Sequence, residues 1–394
     1  MKYIVLIIDG AAGLPIPDRG GRTSLELART PHLDALTARG ALGLAQTVPP
    51  GMEPSSACAC MSVMGYDPVI YYKGRASIEA KSLGIDVAPD EAVFRCNLVN
   101  VSDGKMNDYS AGHITTAEAT EIIKELNQEL GGPGVKFYPG VGFRHILKIK
   151  GRPEILQAVC TPPHDIPGKT AADFMPAGPG SDFLRDLMAR SETVLRSSQI
   201  NRARLERGNL TASTIWLFWG SGQVPAMPPF QKAYGLRAAL TSGVDLLRGL
   251  AMMADMDILD IKGVTDGPES DHAAQAAGAL SSLNTHDLVV VHVEAPDEAG
   301  HGGHIDEKIK AIEDVDRDII GRLRGFSGDL RVLIMPDHPT PLVARTHTAD
   351  PVPFLRWGKG ISANGAARFT EAEARRTGVF MREGYKIMGA LAGK

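Results

Sequence analysis

Short aliphatic and β-branched runs recur along the chain, and polar or turn residues bound each of them. Residues 2–8 (KYIVLII), 288–293 (LVVVHV) and 331–335 (RVLIM) are the clearest examples. Apolar runs of this length are typical of strands buried on both faces of a parallel sheet. The pattern therefore predicts three core strands that lie far apart in the chain.

Amphipathic helical patterns lie between these strands. Apolar residues recur every three or four positions from Ile305 to Leu323, and helices are also predicted over about 25–39 and 236–253. Strands that alternate with helices favour an α/β fold with a mostly parallel sheet.

The middle of the chain, residues 76–220, is richer in turns and polar residues. Its helical signal is confined to about 116–130 and 181–204, and clusters such as GGPGVKFYPG and MPAGPGSD are typical of loops. We therefore expect one discontinuous domain, made of residues 1–75 and 221–394. A smaller α/β domain, residues 76–220, is expected to be inserted into it.

Composition excludes several classes of protein. The chain has 394 residues, of which 43% are hydrophobic and 22% charged, and its net charge is −4. This balance argues against disorder and against a nucleic-acid partner. The apolar amino terminus is too short for a membrane span and is expected to be a buried strand rather than a signal peptide. The few irregularly spaced cysteines predict reduced thiols and a cytoplasmic location. No other segment approaches 18 uninterrupted apolar residues, so no membrane partner is expected.

Metal-binding residue types follow all three core strands. Asp9 ends the first strand, Asp297 and His301 follow the second, and Asp337 and His338 follow the third. Ligands collect beyond the carboxyl ends of strands in an open parallel sheet, so these segments should converge on one edge. His347, on a later loop, is expected to complete a set of three Asp and three His. Such a set suits two divalent ions, Mn²⁺ or Zn²⁺, of the kind that assist phosphoryl transfer.

A candidate nucleophile lies in the segment PPGMEPSSACACMSVMG. A loop containing proline and glycine leads there into a helix-forming run that ends at Gly65. Ser55 and Ser56 stand at the start of this helix, where free backbone N–H groups favour an incoming phosphate. A serine at this position is either a metal-activated nucleophile or only a helix cap, and the nearby metal-ligand pattern favours the nucleophile.

These residues resemble a known family over essentially the whole chain: the archaeal-type, cofactor-independent (2,3-bisphosphoglycerate-independent) phosphoglycerate mutases of the alkaline phosphatase superfamily. The segments that carry the resemblance are IIDGAAG (7–13), TPHLDAL (30–36), MSVMGYDP (61–68), GRASIEAKSLGI (74–85), FRCNLV (94–99), DYSAGHIT (108–115), PHDIPGK (163–169), VHVEAPDEAGH (291–301), PDHPTP (336–341) and HTADPVPFL (347–355). The resemblance implies an alkaline-phosphatase-like, mostly parallel sheet with helices on both faces and an inserted smaller domain.

The resemblance also implies roles for individual residues. One metal would be held by Asp297, His301 and His347, and the other by Asp9, Asp337, His338 and the nucleophile, which falls on Ser56. The ions would be Mn²⁺ or Zn²⁺, or else Co²⁺ or Mg²⁺, with no need for 2,3-bisphosphoglycerate. The inserted domain would bind the glycerate part of the substrate through His113, Asp165, Lys169, Arg144 and Arg202.

Two positions depart from the family pattern. The acidic residue that usually follows the nucleophile is Ala57 here, and the asparagine further along the helix is Cys60.

The implied activity is interconversion of 3-phosphoglycerate and 2-phosphoglycerate through a phosphoserine. Two alternatives stay open: a related phosphatase or homoserine-kinase-like phosphotransferase, and a non-enzymatic metal-binding protein. No nucleotide-binding glycine loop is present, which weighs against ordinary nucleotide binding. His292 and Glu294 are expected to be satisfied core polar groups, and the sequence does not determine the oligomeric state.

Overall fold

The computed structural model of the protein describes residues 1–393, which fall into two compact units. The first unit joins Met1–Tyr72 to the residues from Ala226 onwards, and the second is Lys73–Pro225. Among residues 1–393, no helix is both long enough and apolar enough to span a membrane.

The strands divide between the two units. In chain order they are β1 (Lys2–Ile8), β2 (Ala41–Ala45), β3 (Glu91–Ser102), β4 (Lys105–Asp108), β5 (Val135–Tyr138), β6 (Arg144–Lys150), β7 (Thr214–Ser221), β8 (Ala238–Thr241), β9 (Asp257–Ile258), β10 (Leu288–Val293), β11 (Leu330–Met335), β12 (Val352–Gly358) and β13 (Phe380–Met381).

The α-helices are mostly short. In chain order they are α1 (Ser24–Leu27), α2 (Pro31–Thr37), α3 (Ser56–Val63), α4 (Pro68–Tyr71), α5 (Arg75–Ser82), α6 (Thr116–Leu130), α7 (Ser181–Ser197), α8 (Gln199–Glu206), α9 (Phe230–Tyr234), α10 (Asp245–Met253), α11 (His272–Ser282), α12 (Ala295–Gly302), α13 (Ile305–Val315), α14 (Gly321–Leu323), α15 (Glu371–Arg376) and α16 (Ile387–Ala392).

The first unit is built on a sheet of order β13-β2-β12-β11-β1-β10-β8-β9. Its centre is parallel, with β1 between β11 and β10, and the three predicted core strands are confirmed. The register sets Ile8 opposite Val293 and Ile7 opposite Met335, so the three strands end at nearly the same level. The prediction of a mostly parallel α/β sheet is confirmed, since only β12 runs antiparallel to its neighbours.

The strands on the far side of β11, which are β12, β2 and the edge strand β13, were not predicted. The sequence of β2, ALGLA, lacks β-branched residues, and β12 carries a proline at its second position, so each has a weak strand signal. Their pairing is decided by the edge of β11, on which β12 and then β2 add.

Three helix predictions need correction. The predicted helix over 236–253 is wrong in its first part, because residues 238–241 form β8 beside β10 and helix α10 begins only at Asp245. Pro31, which has no N–H, divides the region 25–39 into α1 and α2. At Ser198 the backbone leaves helical geometry (ψ 128°), which ends α7 and begins α8. The first of these errors arose because periodicity alone cannot assign a short apolar run such as AALT, the sequence of β8, to a helix or a strand.

The second unit has β3 as its central strand. It pairs antiparallel with β6 and β7, and its end pairs with β4. The predicted helix over 116–130 is confirmed as α6, whose Ile122 and Leu126 share a buried core with Leu184 of α7 and Trp216 of β7.

A buried ion pair joins α5 to β3 within this unit. Arg75 Nε lies 2.8 Å from Glu79 Oε1, and the Arg95 guanidinium contacts the other oxygen. Burial alone would raise the pKa of Glu79, but the charges of Arg95 and Arg75 outweigh it and lower the pKa from 4.5 to about 2. The folded state therefore favours ionised Glu79.

We expect Glu79→Gln to lower the free energy of unfolding by about 3–5 kcal/mol at pH 7, because Arg95 would keep a buried charge without its partner. The contribution of the wild-type carboxylate should be complete above its ordinary pKa of 4.5 and be lost as the pH falls toward 2. Urea denaturation of the full chain at pH 7 and pH 3 measures both effects.

Glu121→Gln is the matched control, since Glu121 forms an exposed pair with Lys124 in the same unit. It should change stability little at either pH. Equal losses for the two variants would contradict the assigned role of the buried pair.

Candidate metal centre

Three neighbouring strands deliver carboxylates to one edge of the main sheet. Asp9 directly follows β1, Asp337 lies two residues beyond β11, and Asp297 stands in the first turn of α12, just after β10. The Asp9 amide donates to the Val293 carbonyl at 2.9 Å, which holds the ends of β1 and β10 level. All three aspartates are buried, and two of them have no exposed surface.

Asp9, Asp337 and His338 form the first candidate ligand group, with one ligand atom from each lying within 4.8 Å of the others. His338 Nε2 is 3.2 Å from Asp337 Oδ2 and 3.6 Å from Asp9 Oδ1. Ser56 Oγ lies 3.2 Å from the same nitrogen. The structure therefore brings the predicted nucleophile and three of the predicted ligands together.

The start of α3 separates the roles of the two serines. Ser55 Oγ accepts a hydrogen bond from the Cys58 amide at 3.3 Å, so Ser55 caps the helix. Ser56 is the first helical residue, and its buried hydroxyl contacts His338 instead of a backbone amide of the cap.

Asp297, His338 and His347 form the second candidate group. His301 Nε2 lies 3.2 Å from Asp297 Oδ2 and 2.8 Å from His347 Nε2. The other nitrogen of His301, Nδ1, is 3.1 Å from the Arg345 carbonyl and can donate to it, which turns Nε2 toward the group. His301 and Asp297 are four residues apart on α12 and therefore share one face of that helix.

Burial and mutual repulsion set the electrostatics of this edge. Burial raises the pKa of Asp9 well above its ordinary value, and the charges of Asp337 and Glu294 add to the effect. Burial would also raise the pKa of Asp297, but hydrogen bonds from His301 and His347 outweigh it and hold that pKa low. Burial lowers the pKa of His338.

Two residues that the sequence did not single out, Thr340 and Lys308, support these ligands. The Thr340 hydroxyl donates to Asp297 Oδ1 and lies 3.3 Å from His338 Nδ1. Lys308 Nζ, fully buried, donates to the Thr340 carbonyl at 2.6 Å and to the Ala12 carbonyl at 3.4 Å. A threonine two residues past a ligand and a lysine within a helix carry no signal of this role, because the role comes from tertiary packing.

A third group joins Asp9 to Cys60 and His292, whose ligand atoms also lie within 4.8 Å of one another. His292 Nε2 is 2.8 Å from Asp9 Oδ2, and its Nδ1 is 2.9 Å from Ser242 Oγ. The expectation of satisfied polar groups holds for His292 but is wrong for Glu294, whose buried Oε2 has no hydrogen-bond partner.

The donor set fits divalent cations. Asp9, Glu294, Asp297 and Asp337 lie close together, and within the described residues 1–393 their ion-pair partners within 4.0 Å are all histidines. Asp9 Oδ1 is buried without a hydrogen-bond partner, a costly arrangement unless a cation lies beside it. Imidazole and carboxylate ligands in this combination suit Mn²⁺ and Zn²⁺ more than Ca²⁺.

The predicted substrate residues all lie in the second unit. His113 is exposed and has a positive φ of 49°, and Arg144 is half-buried at the start of β6. Lys169 Nζ donates to the Asp165 carbonyl at 3.0 Å, which brings these two exposed residues together. Arg202 is exposed on α8. Their roles stay predictions.

The fold and this centre define an α/β protein with buried carboxylates and histidines at the carboxyl edge of a parallel sheet. The model of the family described as 2,3-bisphosphoglycerate-independent phosphoglycerate mutase matches residues 37–201. Among solved structures, that of the PH0037 protein from Pyrococcus horikoshii is similar, with a TM-score of 0.82 and 26% identity, covering 100% of this chain and 96% of that one.

Curated relatives match over nearly the full length. The 2,3-bisphosphoglycerate-independent phosphoglycerate mutase of Methanothrix thermoacetophila is 45% identical over 99% of both chains. The enzyme of the same name from Methanosarcina barkeri is 42% identical, also over 99% of both chains. The chain therefore belongs to the 2,3-bisphosphoglycerate-independent phosphoglycerate mutase family.

Gly10, next to Asp9, allows the close approach of β1 to Asp297. Its φ is +60°, and a Cβ there would lie 2.5 Å from Asp297 Oδ1 and 2.6 Å from Thr340 Oγ1. We expect Gly10→Ala to displace Asp297 and to weaken Mn²⁺ binding by roughly 10–100-fold, the range seen when support of metal ligands is lost. Titration calorimetry of the metal-free protein with Mn²⁺ measures this.

Gly20→Ala is the control for backbone strain, since Gly20 has a φ of +68° and nothing lies within 4 Å of its added Cβ. It should cost about 1–2 kcal/mol of stability and leave Mn²⁺ affinity unchanged. Wild-type Mn²⁺ affinity in Gly10→Ala would refute the steric argument.

Proposed function

We propose that the protein interconverts 3-phosphoglycerate and 2-phosphoglycerate, with Ser56 carrying the phosphoryl group between the two positions. The observation that carries the proposal is the Ser56 hydroxyl, 3.2 Å from His338 Nε2 inside a carboxylate–histidine centre. This arrangement occurs in a chain that belongs to a family of mutases.

Two divalent cations are part of this proposal. Asp297, His301 and His347 would hold one, and Asp9, Asp337 and His338 would hold the other together with Ser56 Oγ. Bound there, divalent ions neutralise negative charge on the phosphoryl oxygens and favour the ionised serine. Mn²⁺ or Zn²⁺ is the proposed occupant, and Co²⁺ and Mg²⁺ are the further candidates that a metal titration has to compare.

The chain's own residues then perform the transfer. Ser56 Oγ forms a bond to phosphorus while the bond from phosphorus to the substrate oxygen breaks, and the proton that Ser56 gives up passes to that oxygen. The glycerate hydroxyl at the neighbouring carbon then forms a bond to phosphorus while the bond from phosphorus to Ser56 Oγ breaks, and its proton passes to Ser56 Oγ. Because water would compete for the phosphoserine, the mutase reaction needs an acceptor held close to it.

The second unit is proposed to bind the glycerate part. His113, Asp165, Lys169, Arg144 and Arg202 are the candidates, and their imidazole, carboxylate and cationic groups suit a hydroxy acid's carboxylate and hydroxyls. A small phosphorylated hydroxy acid is thus the proposed substrate. A cytoplasmic location remains a prediction from the composition.

Ala57, which stands where the resemblance implies an acidic residue, is the observation that favours a second candidate activity. The residue after the nucleophile is fully buried and apolar, where the resemblance implies an acidic side chain. A changed acceptor would make the protein a phosphatase or a homoserine-kinase-like phosphotransferase with the same nucleophile. An enolase-coupled mutase assay should be run beside phosphate release and ATP-dependent homoserine phosphorylation.

We expect Ser56→Ala to lower mutase turnover by more than about 10³-fold, because loss of a nucleophile removes the covalent route. The wild-type protein should yield a phosphoserine peptide after a quench with 3-phosphoglycerate, and the variant should not. Mass spectrometry of the quenched protein and the enolase-coupled rate are the two measurements.

Ser55→Ala is the matched control. The Ser55 hydroxyl accepts a hydrogen bond from the Cys58 amide and so caps α3, and this bond involves none of the candidate ligands. It should lower stability by about 1 kcal/mol and still form phosphoserine on Ser56. Undiminished mutase activity in Ser56→Ala would sink the assignment of the nucleophile.

A further inference from the structure

We propose that Asp9, Cys60 and His292 form a third cation position, which takes a thiophilic divalent ion such as Zn²⁺ or Co²⁺. It lies beside the two positions assigned above and goes beyond the proposed function. Its test counts bound ions and does not depend on mutase activity.

The three side chains converge in a fully buried environment. One ligand atom from each lies within 4.8 Å of the others, and Asp9, Cys60 and His292 are 0%, 0% and 2% exposed. Three different donor types, a carboxylate, a sulfur and an imidazole nitrogen, therefore meet away from the protein surface.

Asp9 faces two groups at once. Its Oδ1 points to His338, 3.6 Å from Nε2, and its Oδ2 points to His292, 2.8 Å from Nε2. Oδ1 has no hydrogen-bond partner. A carboxylate arranged in this way can bridge two cations, one on each side.

Glu294 adds a further carboxylate to the His292 side. Its Oε2 lies 3.4 Å from His292 Nε2 and has no hydrogen-bond partner. Two carboxylates thus approach one imidazole nitrogen, and a cation among them would offset their repulsion.

Helix geometry explains how Cys60 reaches this place. Cys60 follows Ser56 by four residues on α3, so both side chains lie on one face of the helix, a single turn apart. Cys60 Sγ is 3.3 Å from Asp337 Oδ2, which places the sulfur against the ligand cluster. Cys58 points elsewhere, with its sulfur 4.0 Å from Met52 Sδ.

The donor set indicates the kind of ion. Thiolate and imidazole together select Zn²⁺, Co²⁺ or Cd²⁺ over Mg²⁺ and Mn²⁺. On binding, the S–H bond of Cys60 breaks, a sulfur–metal bond forms, and one proton passes to solvent. No oxidation or reduction is involved.

The test loads the full chain with Co²⁺ and measures bound metal per chain together with the near-ultraviolet absorption. The wild type should bind three Co²⁺ and show a sulfur-to-cobalt charge-transfer band. Cys60→Ser should bind two and lose the band, while the control Cys58→Ser, altered on the same helix, should keep both.

His292→Gln provides a second variant in which Cys60 is intact, in case Cys60→Ser does not fold. It should also bind two Co²⁺. The proposal would be overturned if the wild type and the variants all bound two Co²⁺ per chain, whether or not the charge-transfer band appears. It would also be overturned if Cys60→Ser kept the charge-transfer band. Because catalysis is not measured, failure of this proposal is separate from failure of the Ser56 assignment.

Discussion

The repulsion among buried carboxylates at the carboxyl edge of the central sheet is the constraint on which the rest of the site depends. Asp9, Asp297 and Asp337 are brought there by three adjacent parallel strands whose register ends them at nearly the same level. Burial strengthens their repulsion, and the histidines that surround them are the only ion-pair partners these three carboxylates have among residues 1–393. A centre of this kind is stable in its ionised form when divalent cations complete it.

Neighbouring residues outside the candidate ligand groups hold the three aspartates in place despite their repulsion. Lys308 ties the loop after β1 to the loop after β11 through the carbonyls of Ala12 and Thr340. Thr340 in turn orients Asp297, and Gly10 leaves room for the approach of the two loops. These contacts join a helix, a strand end and a turn that are distant in the chain. The centre therefore forms only when the chain folds.

Helix α3 carries the two positions, Ala57 and Cys60, at which the resemblance implies other residues. Ser55 caps it, Ser56 presents a hydroxyl to His338, and Cys60 places a sulfur one turn deeper. The same eight-residue helix therefore supplies the proposed nucleophile and a donor of a different chemical kind. Ala57 and Cys60, where the resemblance implies an acidic residue and an asparagine, give Ser56 a buried neighbour without charge and a sulfur one turn away.

Much of the core sheet and most of the centre were predictable because they depend on local signals. Continuous apolar runs predict buried strands, and a carboxylate at the end of such a strand predicts its place at the sheet edge, as for Asp9 and Asp337. The strand β2, the strand β8 within an expected helix, and the supporting contacts of Thr340 and Lys308 were not predictable. Each depends on a partner remote in the chain, and periodicity contains no information about such a partner. The sequence by itself thus determined which candidate metal ligands and which candidate nucleophile the chain offers. Only the tertiary structure decided that Cys60 and His292 meet at Asp9, because the three residues come from α3, β10 and the end of β1, which are distant in the chain.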